Sequence, residues 1–91
     1  MTDEEINRLV EPILRKWLSA SGFRRSKTRS GEDHDGDPSL FITAHFERGR
    51  MPNSLALLRS AGEIRHRLRA AGDTRFPYVQ PRIPDRREAA E

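Results

Sequence analysis

Residues 53–72, NSLALLRSAGEIRHRLRAAG, followed at residues 73–83 by DTRFPYVQPRI, decide the fold of this chain. The first segment is typical of one capped amphipathic helix, because Asn53 or Ser54 can cap its start and Gly72 can end it. Its buried stripe is predicted at Leu57, Ala61, Ile64, Leu68 and Ala71. Gly62 lies inside this helix at a cost of about 1 kcal/mol relative to alanine, which predicts a kink or a close backbone contact there.

A second amphipathic helix is predicted near the start of the chain. Thr2 and Glu5 have the spacing of a capping box, and Gly22 can end the helix. An apolar stripe with spacings of three and four lies between them: Ile6, Leu9, Val10, Ile13, Leu14, Trp17 and Leu18. Trp17 is expected to anchor the core.

Three extended segments complete the chain. The basic residues 23–30 predict an edge strand or an extended arm, since so many charges cannot be buried. Asp35-Gly36 then predicts a hairpin turn into residues 40–46, the clearest strand. In that strand Leu40, Ile42, Ala44 and Phe46 share one face, and Phe41, Thr43 and His45 share the other. The prolines of residues 75–84 predict that the last segment lies at the edge of a sheet or pairs only along part of its length.

The order helix, strand, strand, helix, strand predicts an α+β fold. Two helices with single apolar stripes can cover one face of a small three-stranded sheet, giving a two-layer sandwich over residues 1–84, with a disordered tail at 85–91. The other face of the sheet stays open. Alternate residues of the last strand would lie on this face, either Phe76, Tyr78 and Arg82 or Pro77 and Val79. We prefer the first arrangement, because it directs Val79 and Ile83 toward the core.

Composition limits the classes of function. Of 91 residues, 17 are basic and 14 are acidic, and all but two of the basic residues are arginine, which suits phosphate and carboxylate recognition. The chain contains no cysteine, which excludes disulfides and thiolate metal sites. The acidic start does not have the pattern of a signal peptide, and no apolar run is long enough to cross a membrane. We therefore expect a small basic protein of the cytoplasm, without membrane association.

Catalytic and metal motifs are not recognisable. The sequence has no phosphate-binding glycine loop, no nucleophile elbow and no zinc-type histidine pair, so we expect a domain that is not an enzyme and needs no cofactor. Asp33, Asp35 and Asp37 imitate the start of a calcium loop. The match fails at Pro38, where glycine is needed, and at Ala44, where a bidentate glutamate is needed. The sequence leaves open whether this acidic loop binds a cation.

The segment RSAGEIRHRL at residues 59–68, together with RFPYV at 75–79 and Pro84-Asp85, resembles the last helix and strand of ribosome-binding factor A. That family has a type II KH fold in which an alanine-x-glycine kink replaces the KH glycine loop, and Ser60-Ala61-Gly62 stands at the corresponding place. The resemblance implies a KH-like topology and RNA, structured or ribosomal, as the partner.

Two hypotheses of function follow. In the first, the domain binds RNA through its second helix and its first strand, with these contact residues: Arg24, Arg25, Lys27, Arg29, Arg59, Gly62, Arg65, His66 and Arg69. In the second, it is a protein-interaction subunit, such as an antitoxin, an immunity-type or an accessory protein, or a homodimer. Its interface would then be the open face of the sheet: Phe41, Thr43, His45, Phe76, Tyr78 and Arg82.

Overall fold

The computed structural model describes residues 1–50 and 52–84, and the tail predicted at 85–91 lies outside these residues. Helix α1 spans Asp3–Leu18 and ends in a 3-10 turn at Ser19–Ser21. Strands β1 and β2 span Phe23–Glu32 and Pro38–Phe46. Helix α2 spans Ser54–Ala70, and strand β3 spans Phe76–Arg82. The predicted α+β order is confirmed.

The three strands form one mixed sheet in the order β1-β2-β3. The hairpin makes β1 and β2 antiparallel, while the connection through α2 makes β3 parallel to β2. Helix α1 packs on β1 and on α2, and α2 packs on β3. Neither α1 nor α2, the helices of the described residues, is long and apolar enough to span a membrane.

The core lies between the sheet and the two helices. One face of β2 is buried in it, since Leu40, Ile42 and Ala44 have no exposed surface. The remaining buried apolar residues come from both helices and from strands β1 and β2: Ile6, Val10, Ile13, Leu14, Leu18, Phe23, Phe46, Ile64 and Leu68. Both helices therefore cover the same face of the sheet, as the sequence predicts.

The helix caps also follow the sequence. The Thr2 side chain accepts from the backbone N–H of Glu5, and the Glu5 side chain accepts from that of Thr2, which completes the capping box. Asn53, rather than Ser54, caps α2 through its side-chain oxygen. At the other end Gly72 has φ 88° and the N–H of Asp73 donates to Leu68 O, the hydrogen bond of a Schellman motif.

Three details of α2 differ from the predictions. Gly62 is exposed in a continuous helix, and no side chain or distant backbone of the described residues lies within 4 Å of the place a Cβ would take, so the close contact predicted there is wrong. Ala71 is exposed at the C-cap rather than buried. Ser60 is fully buried in the stripe instead, because its hydroxyl donates to Leu57 O at 2.8 Å and needs no other partner.

Polar side chains of α1 cover the free edge of β1. They recur every four residues, so they lie on one side of the helix. Asp3 accepts from Ser30 N, Asn7 donates to Ser26 O, Glu11 accepts from Ser26 N, and Arg15 donates to Arg24 O, all at 3.0–3.3 Å. This edge is therefore occupied by the protein itself.

Prolines protect the opposite edge of the sheet. Pro77 and Pro81 have no N–H, yet β3 pairs with β2 along its whole length. The alternate residues Tyr78, Gln80 and Arg82 must therefore bond to β2, and the side of β3 away from β2 has only Val79 N–H as a donor within the strand. Neither edge is a good template for another strand.

Candidate nucleic-acid interface on the open face of the sheet

The face of the sheet away from the helices is built from alternate residues of all three strands, and we call it the open face. Its cross-strand rows follow from the register. One row holds Arg25, His45 and Arg82, the next holds Lys27, Thr43 and Gln80, and the third holds Arg29, Phe41 and Tyr78. Phe76 follows Tyr78 on the same side of β3. This phase of β3 is the preferred one of the two predicted, with Val79 and Ile83 packed against the core.

Planar groups are in contact across this face from one edge to the other. The Arg29 guanidinium lies over the Phe41 ring, 5.1 Å from its centroid. Phe41 stacks with Tyr78 at 5.6 Å and an interplanar angle of 14°, and Tyr78 contacts Phe76 at 4.8 Å. The Arg65 guanidinium of α2 lies 5.1 Å from the centroid of Phe76. These five side chains form one continuous series, which we call the planar row.

Gly31 makes room for the centre of the planar row. A Cβ at this position would lie 3.1 Å from Cε2 of Phe41, closer than most such contacts in proteins. The Phe41 ring therefore packs against the backbone of β1, where any other residue would push it away. The absence of a side chain at Gly31 thus fixes where this aromatic ring lies.

The end of the open face at Arg25 is cationic. Burial lowers the pKa of His45, and the nearby charges of Arg25, Arg82 and Lys27 lower it further. His45 therefore takes up a proton less readily than an ordinary histidine, in a field of three positive groups. None of the positions in the three rows carries an acidic residue, so the acidic groups that approach this face come from outside the strands.

The opposite end of the open face is anionic. Tyr78 donates its hydroxyl proton to Asp33 Oδ2 at 3.2 Å, and Asp33 Oδ1 accepts from the backbone N–H groups of Asp35 and Asp37. These backbone hydrogen bonds lower the pKa of Asp33, whereas burial and the bond to Asp33 raise that of Tyr78. Carboxylate oxygens of Asp33, Asp35 and Asp37 lie within 4.8 Å of one another. The loop holds a hairpin turn together and orients Tyr78.

The residues predicted to bind nucleic acid are divided between the two layers. Arg25, Lys27 and Arg29 lie on the open face, beside the residues predicted as a protein interface. Arg24 is exposed where a β-bulge shifts the register of β1. The other predicted residues, all exposed, belong to α2 in the helical layer: Arg59, Gly62, Arg65, His66 and Arg69. Arg65 joins the layers through its contact with Phe76.

Glu63 lies within the basic sequence of α2, but it does not neutralise the predicted RNA-contact residues of that helix. It is bound to α1, where it accepts hydrogen bonds from Lys16 and from the indole N–H of Trp17, and its distance to Arg67 is 3.9 Å. The bond from Lys16, followed by that from Trp17, holds the pKa of Glu63 below its usual value. Trp17 is partly buried against the core, where this bond satisfies its polar edge.

Comparison with models of known protein families, with curated proteins and with solved structures finds no match for this chain.

Proposed function

We propose that this domain binds single-stranded RNA on the open face of its sheet, as a binding module without catalytic activity. One observation carries the proposal: the planar row lies on the same face of the sheet as Arg25 and Lys27, whose cross-strand partners His45 and Thr43 are not acidic. Arg25 and Lys27 would contact phosphates, and the planar row would contact bases.

The chemistry of both parts suits a single strand. Aromatic rings and arginine planes stack on unpaired bases, a contact worth about 1–3 kcal/mol per base. Phe41 and Tyr78 are half-buried in the face, and they could not reach bases inside a duplex. Lys27, Arg25 and Arg82 supply a sequence-independent attraction for the backbone, which weakens steeply as salt rises.

The α-β-β-α-β order supports the type II KH-like relationship as part of this proposal, and an RNA-binding role accords with a cytoplasmic location. The sequence hypothesis assigns RNA contacts to both the first strand and the second helix. The first strand and the aromatic residues share one face, so we assign the principal contacts to that face and a lesser, long-range electrostatic part to α2.

The test is fluorescence anisotropy with a short labelled single-stranded RNA and the matching duplex. Arg25→Glu with Lys27→Glu should weaken binding of the single strand by at least roughly tenfold, or 1.4 kcal/mol. Tyr78→Leu should weaken it with little change in salt dependence, because it removes stacking and no charge. Arg59→Glu with Arg69→Glu is the charge-matched control on α2 and should have a smaller effect. Preference for the duplex, or equal loss in the two double variants, would contradict the proposal.

A protein partner on the same face is the second candidate, favoured by the aromatic and arginine side chains that dominate interface hot spots. Because both sheet edges are protected, a homodimer would have to form face to face. Light scattering after nuclease treatment separates the two candidates. A dimer lost on Phe41→Ala with Tyr78→Ala, with no RNA binding by the parent protein, would favour this candidate.

A further inference from the structure

Two exposed apolar side chains lie at the boundary between α2 and β3. Leu58 is 70% exposed and Phe76 of β3 is 43% exposed, while Leu55, which is 56% exposed, lines a separate pocket with Trp17 of α1. Among the described residues, Met1 is the only other large apolar residue with such exposure. Leu58 and Phe76 line a groove of about 370 Å³ between α2 and β3, with these further residues: Ser54, Leu57, Ala61, Pro77, Tyr78 and Val79.

Cations flank this groove. Arg65 is directed to the β3 side of α2, as its position over the Phe76 ring shows. Arg69 follows Arg65 by four residues and therefore lies one turn further along the same side. Arg59 lies elsewhere on α2, in a separate pocket that Trp17 and Leu55 also line. Glu63, the acidic residue of α2, is held on the α1 side by Lys16 and Trp17, so it leaves these arginines unneutralised.

We propose that the groove between α2 and β3 docks an acidic amphipathic helix from another protein. An apolar stripe on that helix would bury Leu58 and Phe76, as in other helix-in-groove complexes. Acidic residues beside its stripe would pair with Arg65 and Arg69, and this charge complementarity selects the partner. A second copy of this chain would oppose like charges across α2. RNA would leave the leucines in water. An acidic amphipathic helix would cover the apolar lining of the groove and would also pair with the arginines beside it.

This site lies between the two layers, and it shares Phe76, Tyr78 and Arg65 with the planar row. Leu58 distinguishes the two sites, because it lines the groove and is not itself one of the open-face residues proposed for RNA. Its exposure means that a polar replacement should leave the fold intact, which circular dichroism can check.

The experiment uses a synthetic capped peptide with leucines at helical spacings and glutamates beside them. A peptide of the same composition with dispersed leucines is the control. We expect the first peptide to shift amide resonances of Leu58 and Phe76 in the labelled protein and to bind less tightly in salt. Leu58→Asp should weaken its binding at least roughly tenfold, while Thr74→Asp, which adds the same charge on an exposed loop, should have little effect. RNA affinity of Leu58→Asp should stay within about twofold of the parent, allowing for one added charge.

Several results would overturn the proposal. One is equal binding of the two peptides. Another is that the peptide shifts the amide resonances of open-face residues outside the groove, and a third is no saturable binding up to roughly 1 mM. A dimer of the protein that Leu58→Asp dissociates would assign the groove to a second copy. A large loss of RNA affinity in Leu58→Asp would assign it to nucleic acid. Failure of the RNA proposal leaves the peptide result unaffected, since the peptide needs no RNA.

Discussion

Asn7 of α1 holds β1 through Ser26, with its side-chain nitrogen donating to Ser26 O at 3.1 Å and its side-chain oxygen accepting from the Ser26 hydroxyl at 2.9 Å. The same oxygen accepts from the hydroxyl of Thr28, which is 7% exposed. One amide thus satisfies two hydroxyls and a backbone carbonyl at the helix–strand boundary.

Replacing Asn7 by alanine should destabilise the protein by about 1–3 kcal/mol, because these polar groups lose their partner at a part-buried site. The measurement is the free energy of unfolding in urea. Asn7→Asp should be less harmful than Asn7→Ala, since it keeps an acceptor for the two hydroxyls. Equal stability of the alanine variant and the parent would show that water replaces the amide at no cost.

Gly62→Ala should stabilise the protein by about 0.5–1 kcal/mol. Gly62 is exposed inside α2, and its Cβ position is open. Alanine there lowers the entropy of the unfolded chain and raises helix propensity. Thermal unfolding should show a higher midpoint. Gly31→Ala is the contrasting control, because its Cβ would meet Phe41 and should therefore lower the midpoint.

RNA affinity should increase as pH falls from about 8 to about 6, through His45. Arg25, Arg82 and Lys27 help burial to lower its pKa, and bound phosphates would offset their charge, so binding would raise the pKa and take up a proton. His45→Gln should remove this pH dependence, while His66→Gln on α2 should keep it. Anisotropy titrations at several pH values provide the measurement, and unchanged pH dependence in His45→Gln would contradict the idea.

His45 also makes stability depend on pH in a defined direction. Because its pKa is lowered on folding, the unfolded chain binds the proton more readily. Stability should therefore fall as pH drops below the ordinary histidine pKa of 6.5, and it should be fully present above that value. Urea unfolding of the parent protein and of His45→Gln on both sides of this pH checks the sign. If His45→Gln loses as much stability as the parent protein when the pH falls, the pH dependence comes from another group.

Glu63 should contribute to acid unfolding in the same sense as His45, but at a lower pH. Its pKa is lowered in the folded protein by Lys16 and Trp17, so its contribution is present above the ordinary value of 4.5 and is lost as pH falls below it. Trp17, the single tryptophan of the chain, reports the change by fluorescence. In Glu63→Gln the fluorescence transition between about pH 5 and 3 should flatten. Glu4→Gln, at an exposed position of α1, is the control.

Much of the fold could be predicted from the sequence because it depends on short-range patterns. The Thr2–Glu5 capping box, the Asp35-Gly36 turn and the alternation of Leu40 and Phe41 each act within a few residues. Ser60 escaped prediction because its burial depends on a bond to its own helix backbone. The open Cβ position at Gly62 depends on distant packing, which a single glycine in a sequence does not reveal.

The candidate site was harder to predict, because its parts come together only through register. The turn at Asp35-Gly36 could have paired Arg29 with Phe41, and thereby grouped the cations of β1 with the aromatic residues. The sequence instead suggested grouping by charge, which joined β1 with α2. The bond between Tyr78 and Asp33 spans 45 residues, and no local pattern signals it.

The blocked borders of the sheet have a practical consequence. Copies of this domain linked in tandem, or crowded on a scaffold, should not add strands to one another, because α1 covers one border and Pro77 and Pro81 disable the other. The domain could therefore be fused repeatedly into one polypeptide, with every unit keeping its own fold and its own exposed surface.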